Sequence, residues 1–489
     1  MSADVETLAA EVRGPVLLPG SREYDEERSG FQAGFRHRPA VVVGATRPED
    51  VRAAVRFAAE RRLPVAVQST GHGIVTALDG EGVLVTTRRM KAVTVDAEAG
   101  TVRAEAGVLW GEVIERAAPH GLAPVNGSAP HIGVVGYLLG GGVGLLGRRT
   151  GYASDYVRAL DIVTADGVQR RVTAGSDPDL FWALRGGGGN FGAVTAVETA
   201  LVPVTRLYGG GLHFAADQPV DLLHAYRAWT LTLPEELTSS IGLMTWPSSP
   251  SVPESLRGRY VAHVRIAFTG STAEGERLVA PLRALGPRLI DTVREMPYTE
   301  VGTIYQDPRV PHAYFGGNVL LRELDPAALR TVVDVAGPGA AVPCIVEIRH
   351  LGGAFARRPA DPGAVGGRDA AYMLRVMTSG TAAPSTAARP VHQRVYDALK
   401  QWTVGRALNS VYHDGAPVLQ EQVRELFAAR GLRAAATREE AARPAQPVPV
   451  HPQHPTSGRQ LTGLFCACER QYAAGAGPLP LSGGRAERR

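Results

Sequence analysis

Glycine recurs in tight clusters between residues 71 and 192, as Gly71-His72-Gly73, as Gly140–Gly147 (GGGVGLLG) and as Gly186–Gly192 (GGGGNFG). Helix and strand interiors both lose stability to such runs, so these stretches read as loops where the backbone closes tightly on something else. The last two each contain a literal GxGxxG, whose glycines let backbone amides line up around a diphosphate. A nicotinamide-dinucleotide fingerprint needs a strand just before the glycines, a helix opening on them and an acidic residue about 20 positions on. Asp161 stands at roughly that distance from the first run, yet Ile132–Leu139 before it has internal glycines, and the second run follows a helical stretch. Anion-binding backbone and plain close packing both remain open on the motif alone.

The flanking pattern narrows the fold. Ala40–Ala45 (AVVVGA) reads as a buried strand, Thr46-Arg47-Pro48-Glu49 as a capping box, and Val51, Val55 and Ala58 recur at helical spacing through Glu60. Pro64–Gln68 (PVAVQ) returns as a strand and runs into Ser69-Thr70-Gly71-His72-Gly73. A glycine loop at the carboxyl end of such a strand is where open α/β sheets bind ligands. Further strands are expected over Val83–Thr87, over Val93–Asp96 and Val102–Ala106, over Val157–Ala165 with Val168–Val172, and over Ala193–Val202. Leu109–His120 reads as an amphipathic helix closed by Gly121, and Ser176 as the cap of a helix through Leu184. Beyond Thr205 the glycine clusters largely stop, and a second α+β domain is expected. Its strands are Ser239–Thr245, Arg259–Phe268, Cys344–His350 and Tyr372–Met377, and its helices Pro219–Leu231, Ala273–Leu285, Ala327–Ala336 and Val391–Val404.

Composition excludes several classes. A length of 489 residues calls for two domains, and 44% hydrophobic with 20% charged residues is the range of soluble globular chains. The formal charge of +4 is spread along the chain with no basic stripe, so nucleic acid is not an expected partner. No run of about 18 apolar residues offers a membrane span, and the first twenty or so residues lack a signal-peptide core, so a cytoplasmic protein is expected. Cys344, Cys466 and Cys468 form no CxxC pair, which argues against structural zinc or a disulfide framework, and no metal site is expected.

His72 between two glycines would, alone, be an ordinary hydrogen-bonded histidine. Its companions change that. Pro48-Glu49-Asp50-Val51, Gly71-His72, Ala106-Gly107-Val108-Leu109-Trp110, His120-Gly121-Leu122-Ala123, the run from Gly133 to Gly144, Gly151-Tyr152-Ala153-Ser154-Asp155, Val163-Thr164-Ala165-Asp166-Gly167 and Asp179–Gly192 follow one another in order. Taken together they resemble the berberine-bridge-enzyme-like branch of the vanillyl-alcohol-oxidase (PCMH-type) family of FAD enzymes, over roughly residues 14–425 and most strongly over 40–203.

The resemblance implies an α+β fold: a PCMH-type FAD-binding domain of two α/β subdomains, and a second α+β substrate domain built on an antiparallel sheet. The boundaries expected are 1–35 for an N-terminal segment, 36–205 for the FAD domain, 206–405 for the substrate domain and 406–429 for a segment returning to the FAD domain. It also implies that Gln68, Ser69, Thr70, Gly71 and Gly73 cradle FAD, and that His72 bonds covalently to the flavin 8α-methyl group. Further cofactor contacts carried over are Gly133, Val134, Gly136, Gly140, Gly141, Gly142, Gly144, Asn190, Gly192 and Val194. Many relatives add a cysteinyl link in a Gly-x-Cys-Pro stretch; Gly127-Ser128-Ala129-Pro130 has Ala129 there, so one covalent link is expected. Ile132 aligns with a position that governs oxygen access and leans toward an acceptor other than oxygen.

Hydride transfer from an alcohol needs a positioned base. Glu347 and Arg349 share a face of the Cys344–His350 strand by its period of two, unless they are an ordinary surface pair. The family's Tyr-x-Asn-Tyr/Phe stretch survives here only as the asparagine of Ala407-Leu408-Asn409-Ser410, with Tyr412 close by. Tyr412, Glu347 and Tyr372 are therefore the candidates. The family's Asp-Pro-x-Asn-x-Phe ending is lacking, and Pro444–Pro455 (PAQPVPVHPQHP) has no helix or strand period. Residues 430–489 are expected to be an atypical disordered tail, by a frameshift or a divergent terminus. The function implied is FAD-dependent oxidation of a small alcohol, sugar or secondary metabolite, with oxygen or another acceptor. Two alternatives are a catalytically impaired flavin-binding protein and a C–N or ring-forming oxidase.

Overall fold

The computed structural model describes residues 2–34, 36–73, 77–380 and 385–412. The expected tail and most of the return segment lie outside the described residues.

Three sheets organise the chain. The first orders Val16–Leu17, Val41–Gly44, Val83–Thr86 and Val65–Gln68, with the last three parallel. The middle two are buried along their whole length, which is why they read as unbroken apolar runs. Helix Pro48–Arg61 covers this sheet through Val51, Ala54, Val55 and Ala58. Its cap differs from the capping box expected: Pro48 at the first position makes Arg47 the N-cap, without a side-chain bond. The buried Asp50 carboxylate does that work instead, accepting from Thr46 N at 2.9 Å, Thr46 Oγ1 at 2.8 Å and Arg13 N at 3.0 Å. Similarly Asp177, not Ser176, caps helix Pro178–Leu184.

The second sheet is antiparallel, in the order Val93–Asp96, Thr101–Glu105, Ala193–Ala200, Val157–Val163, Gln169–Val172. Helices Trp110–Ala117, Val134–Leu139 and Pro178–Leu184 share its apolar core. The third sheet has nine strands with every pairing antiparallel. Five of its strands were not anticipated: Arg206–Ala215 and Tyr314–Leu321, because Gly209–Gly211 and Gly316-Gly317 break their apolar alternation, and the short Ile290–Asp291, Arg294–Pro297 and Thr403–Gly405, the last of which replaces the end of the helix expected over Val391–Val404, which stops at Leu399.

Alternation along the third sheet assigns its faces. Val346 and Ile348, Leu374 and Val376, Val264 and Ile266 point into a core closed by helices Pro219–Thr230, Thr272–Arg283, Pro326–Ala336 and Ser385–Leu399. His213, His263, Arg265, Ser240, Glu347, Arg349 and Arg375 occupy the opposite face. The buried Arg148, beyond the second sheet's helices, donates from Nε to Leu237 O at 3.0 Å and from Nη1 to Leu351 O, fastening the glycine-rich part to this third sheet. Among the described residues no helix is long and apolar enough to cross a membrane.

Candidate active site

The Val65–Gln68 strand delivers the bend Ser69–Gly73. Gly71 adopts φ +68°, and a Cβ there would lie 2.6 Å from Gly30 Cα, so only glycine fits. The bend is pinned by Phe31 N to Thr70 O at 2.8 Å and Gln32 N to Gly71 O at 2.9 Å. His72 stacks on Phe31 with centroids 3.9 Å apart and planes 12° from parallel. Its Nδ1 lies 2.9 Å from Thr70 Oγ1, and the Tyr314 hydroxyl donates to its carbonyl at 2.7 Å. Gln32 holds Tyr314 in turn through that residue's main chain. Burial, and then the neighbouring His131 and His312, depress the His72 pKa to about 3, so the imidazole is neutral.

Facing this bend is the start of helix Val134–Leu139, where a Cβ on Gly133 would sit 3.1 Å from Ser69 Oγ. Tyr137 of that helix is buried, edge-on to Trp110. The glycines after it are pinned by Ala153 N to Gly142 O at 3.0 Å and Ser154 N to Gly141 O at 2.9 Å. Asn409 closes the far side: its Nδ2 donates to Tyr137 O at 2.7 Å, and its Oδ1 would lie 1.7 Å from a Cβ on Gly140. Gln68 Oε1, Ser69 Oγ, His72 Nε2, Tyr137 OH and Ser154 Oγ are all buried without a partner. Buried polar groups left so cost about 1–3 kcal/mol each.

The other expected contacts lie in varied surroundings. Gly73 and Gly136 have open space where a side chain would point, whereas Val194 is buried in the five-stranded sheet and Gly192 is buried just before the same strand. Asn190 is exposed. Ala129 is buried, and Ile132 is half-buried against the same core.

The polar face of the third sheet brings two of the three base candidates together. Glu347, 2% exposed, meets Arg265 Nη1 at 3.2 Å, Arg349 Nε at 3.2 Å and Arg375 Nη2 at 2.5 Å. This excludes an ordinary surface pair. Burial alone would raise the Glu347 pKa, but Arg349, Arg375 and Arg265 outweigh it and hold the carboxyl at about 2. Arg375 Nη1 donates to the Tyr412 hydroxyl at 3.1 Å, and Tyr412 packs edge-on to Tyr314 with centroids 5.0 Å apart. Tyr372 is not among them. It lies on the other face of its strand, its hydroxyl 2.7 Å from Thr230 Oγ1 and its ring in the helix-covered core.

Phe31, Gln32 and Tyr314 were not anticipated from the sequence. The paired glycines after Tyr314 are the one signal for it, since glycine inside a strand marks close backbone approach.

A model of the FAD binding domain matches residues 39–173. YgaK of Bacillus subtilis, an uncharacterized FAD-linked oxidoreductase, is 27% identical over 377 residues, 75% of this chain and 81% of the relative. (R)-6-hydroxynicotine oxidase of Paenarthrobacter nicotinovorans is 31% identical over 293 residues, 59% of this chain and 62% of the relative. The chain carries an FAD binding domain and is an FAD-linked oxidoreductase. The fold agrees with that of berberine bridge enzyme from Eschscholzia californica, at TM-score 0.75 and 18% identity over 90% of this chain and 97% of that one.

As an FAD-linked oxidoreductase the protein requires a small-molecule substrate and an electron acceptor. The residues present fit the cofactor. Gln68, Ser69 and His72 at the bend, and Tyr137 and Ser154 beside the pinned glycines at 141–142, each bury a polar atom without a partner, and a large polar group is what would supply those partners.

Proposed function

We propose that this oxidoreductase carries its flavin on His72 through one covalent bond, and that it oxidises a CH–OH group of a small organic molecule, a sugar or a secondary-metabolite alcohol. The observation that carries the attachment is the state of His72 Nε2, which is sealed from solvent and without a partner on an imidazole held neutral. With the ring proton on Nδ1 directed at Thr70 Oγ1, Nε2 would be the atom that holds the flavin through its 8α carbon; the attachment would release a proton from that methyl group and leave two electrons on the flavin for the acceptor to remove. Phe31 fixes the ring plane, and Tyr314 fixes the main chain beneath it. Ala129 offers no second nucleophile, so the attachment is single.

Bound FAD supplies the two-electron oxidation, and oxygen or another acceptor returns it to its starting state. The chain's own share is to orient the substrate and take its hydroxyl proton. Tyr412 suits that role, since its hydroxyl is oriented by Arg375 on the polar face. Glu347 is committed to three guanidinium groups and is a weak base at about 2.

The test is acid precipitation of purified protein followed by a visible spectrum and intact mass. Yellow colour staying with the pellet, one FAD of added mass, and release of the colour in His72→Ala are expected. Flavin washing free of the native protein would overturn the covalent attachment, and a colourless protein made with ample riboflavin would overturn the flavin site.

A further inference from the structure

The polar face of the third sheet carries more positive charge than the described residues compensate. Strand register places the groups in two rows. Gly242 lies between His263 and Glu347, and Glu347 opposite Arg375; two residues along, Ser240 lies between Arg265 and Arg349. Gly242 leaves the gap that makes the cluster possible, because a Cβ there would meet Arg265 Nη1 at 2.7 Å. The Arg265 side chain crosses that gap to reach Glu347. Tyr305 caps the group, with the Arg265 and Arg349 guanidinium carbons 4.8 and 5.1 Å from its ring centre.

Three guanidinium groups thus share one carboxylate, and their side chains are only 13–14% exposed. Asp307 is the second acid whose charge reaches Arg349 and Arg375. Even counting both carboxylates, a cation remains, and Arg375 Nε is buried without a partner. An uncompensated charge in such a place is costly unless something completes it.

The cluster also borders the proposed flavin space from two sides. Arg349 Nη1 donates to Val143 O of the first glycine run at 3.4 Å. Arg375 holds Tyr412, which packs on Tyr314, the residue bonded to the His72 carbonyl.

We propose that the substrate carries an oxyanion, a carboxylate or a phosphate, and that Arg349, Arg375 and Arg265 bind it, with Glu347 keeping the guanidinium groups aligned. This rests on the reading of the polar face as the substrate side of a flavin site. Guanidinium forks match the paired oxygens of either anion, and an anion brought there removes the excess charge. The substrate is then a hydroxy acid or a phosphorylated alcohol, with its oxidisable carbon a short distance from the anionic group.

Calorimetric titration of the intact protein with sodium benzoate, with inorganic phosphate and with benzamide as the neutral isostere tests this. At least one anion is expected to bind about tenfold or more tighter than benzamide, and which anion binds separates carboxylate from phosphate. Arg349→Met is expected to weaken that binding by about 10- to 100-fold, whereas Glu347→Gln, which frees a guanidinium, tightens it. Anions that bind no better than benzamide, or equally well to Arg349→Met, would overturn the proposal. Because calorimetry does not depend on colour, a colourless protein that still binds the anion would defeat the flavin reading alone.

Discussion

Replacing Glu347 by glutamine tests the electrostatics of the polar face directly. Against the cost of burial, Arg349, Arg375 and Arg265 hold the carboxyl from 4.5 down to about 2, which corresponds to about 3 kcal/mol of net favourable interaction in the folded state. An independent route gives the same size: stripping one partner from a buried ion pair costs about 3–5 kcal/mol, since the remaining charges stay buried. Glutamine keeps the shape but removes the charge from three guanidinium groups at 2.5–3.2 Å. The folded pKa is depressed, so the contribution is fully present above 4.5, the unfolded value, and is lost only as pH falls from there through about 2. Urea unfolding of wild type and variant at pH 7.0 and 5.5 should therefore show the same gap of about 3 kcal/mol at both. Raised salt should shrink it little, because the pair is buried. A gap below about 1 kcal/mol, or one that changes between the two pH values, would refute the argument.

Two further outcomes are expected. Gly140→Ala drives a methyl group into Asn409 Oδ1, whose ideal separation from it is 1.7 Å, and so breaks the 2.7 Å bond from Asn409 to Tyr137 O. The single variant should lose about 1–3 kcal/mol by urea unfolding, and Gly140→Ala with Asn409→Gly should lose less than the two singles summed; additive losses would show that these residues do not touch. Acid should destabilise the protein well before Glu347 titrates. Burial depresses His37 and His213 to about 4 and His350 to about 3, each from 6.5. The unfolded chain therefore takes up these protons first, so stability is full above 6.5 and falls as pH drops toward 4. Three such groups give a slope of about 4 kcal/mol per pH unit once pH is well below 6.5; a urea midpoint that stays flat between pH 7 and 5 would contradict this.

What could be read from the sequence follows from how local each cause is. The strand before His72 and the helix after Pro48 announce themselves because their apolar spacing and breakers lie within about fifteen residues, the length of one helix. Even there the cap was misplaced. Thr46 to Glu49 has the form of a capping box, but proline at the first helical position moved the cap to Arg47 and passed the hydrogen bonds to Asp50. The two glycine-broken strands, Arg206–Ala215 and Tyr314–Leu321, are held by ladder bonds to strands far along the chain, and nothing within their own windows signals this.

The same division runs through the site. His72 is legible because its two glycines are its neighbours in sequence. The groups that hold it are not, since Gln32 meets Tyr314 across 282 residues and the Phe31 ring reaches His72 from a segment with no period of its own. Glu347 and Arg349 could be placed on one face by alternation alone, yet alternation says nothing about which arginines of other strands join them. Arg265 and Arg375 enter only through register, and a slip of one residue in either ladder would turn them into the helix-covered core. The charge excess is thus a property of pairing. Each arginine taken singly along the chain is unremarkable, and only three strands in this alignment add them to a cation that one carboxylate cannot balance. For that reason the arginine cluster is written in the register of the third sheet, whereas the bend that carries His72 is written in the glycines that follow a strand of the first.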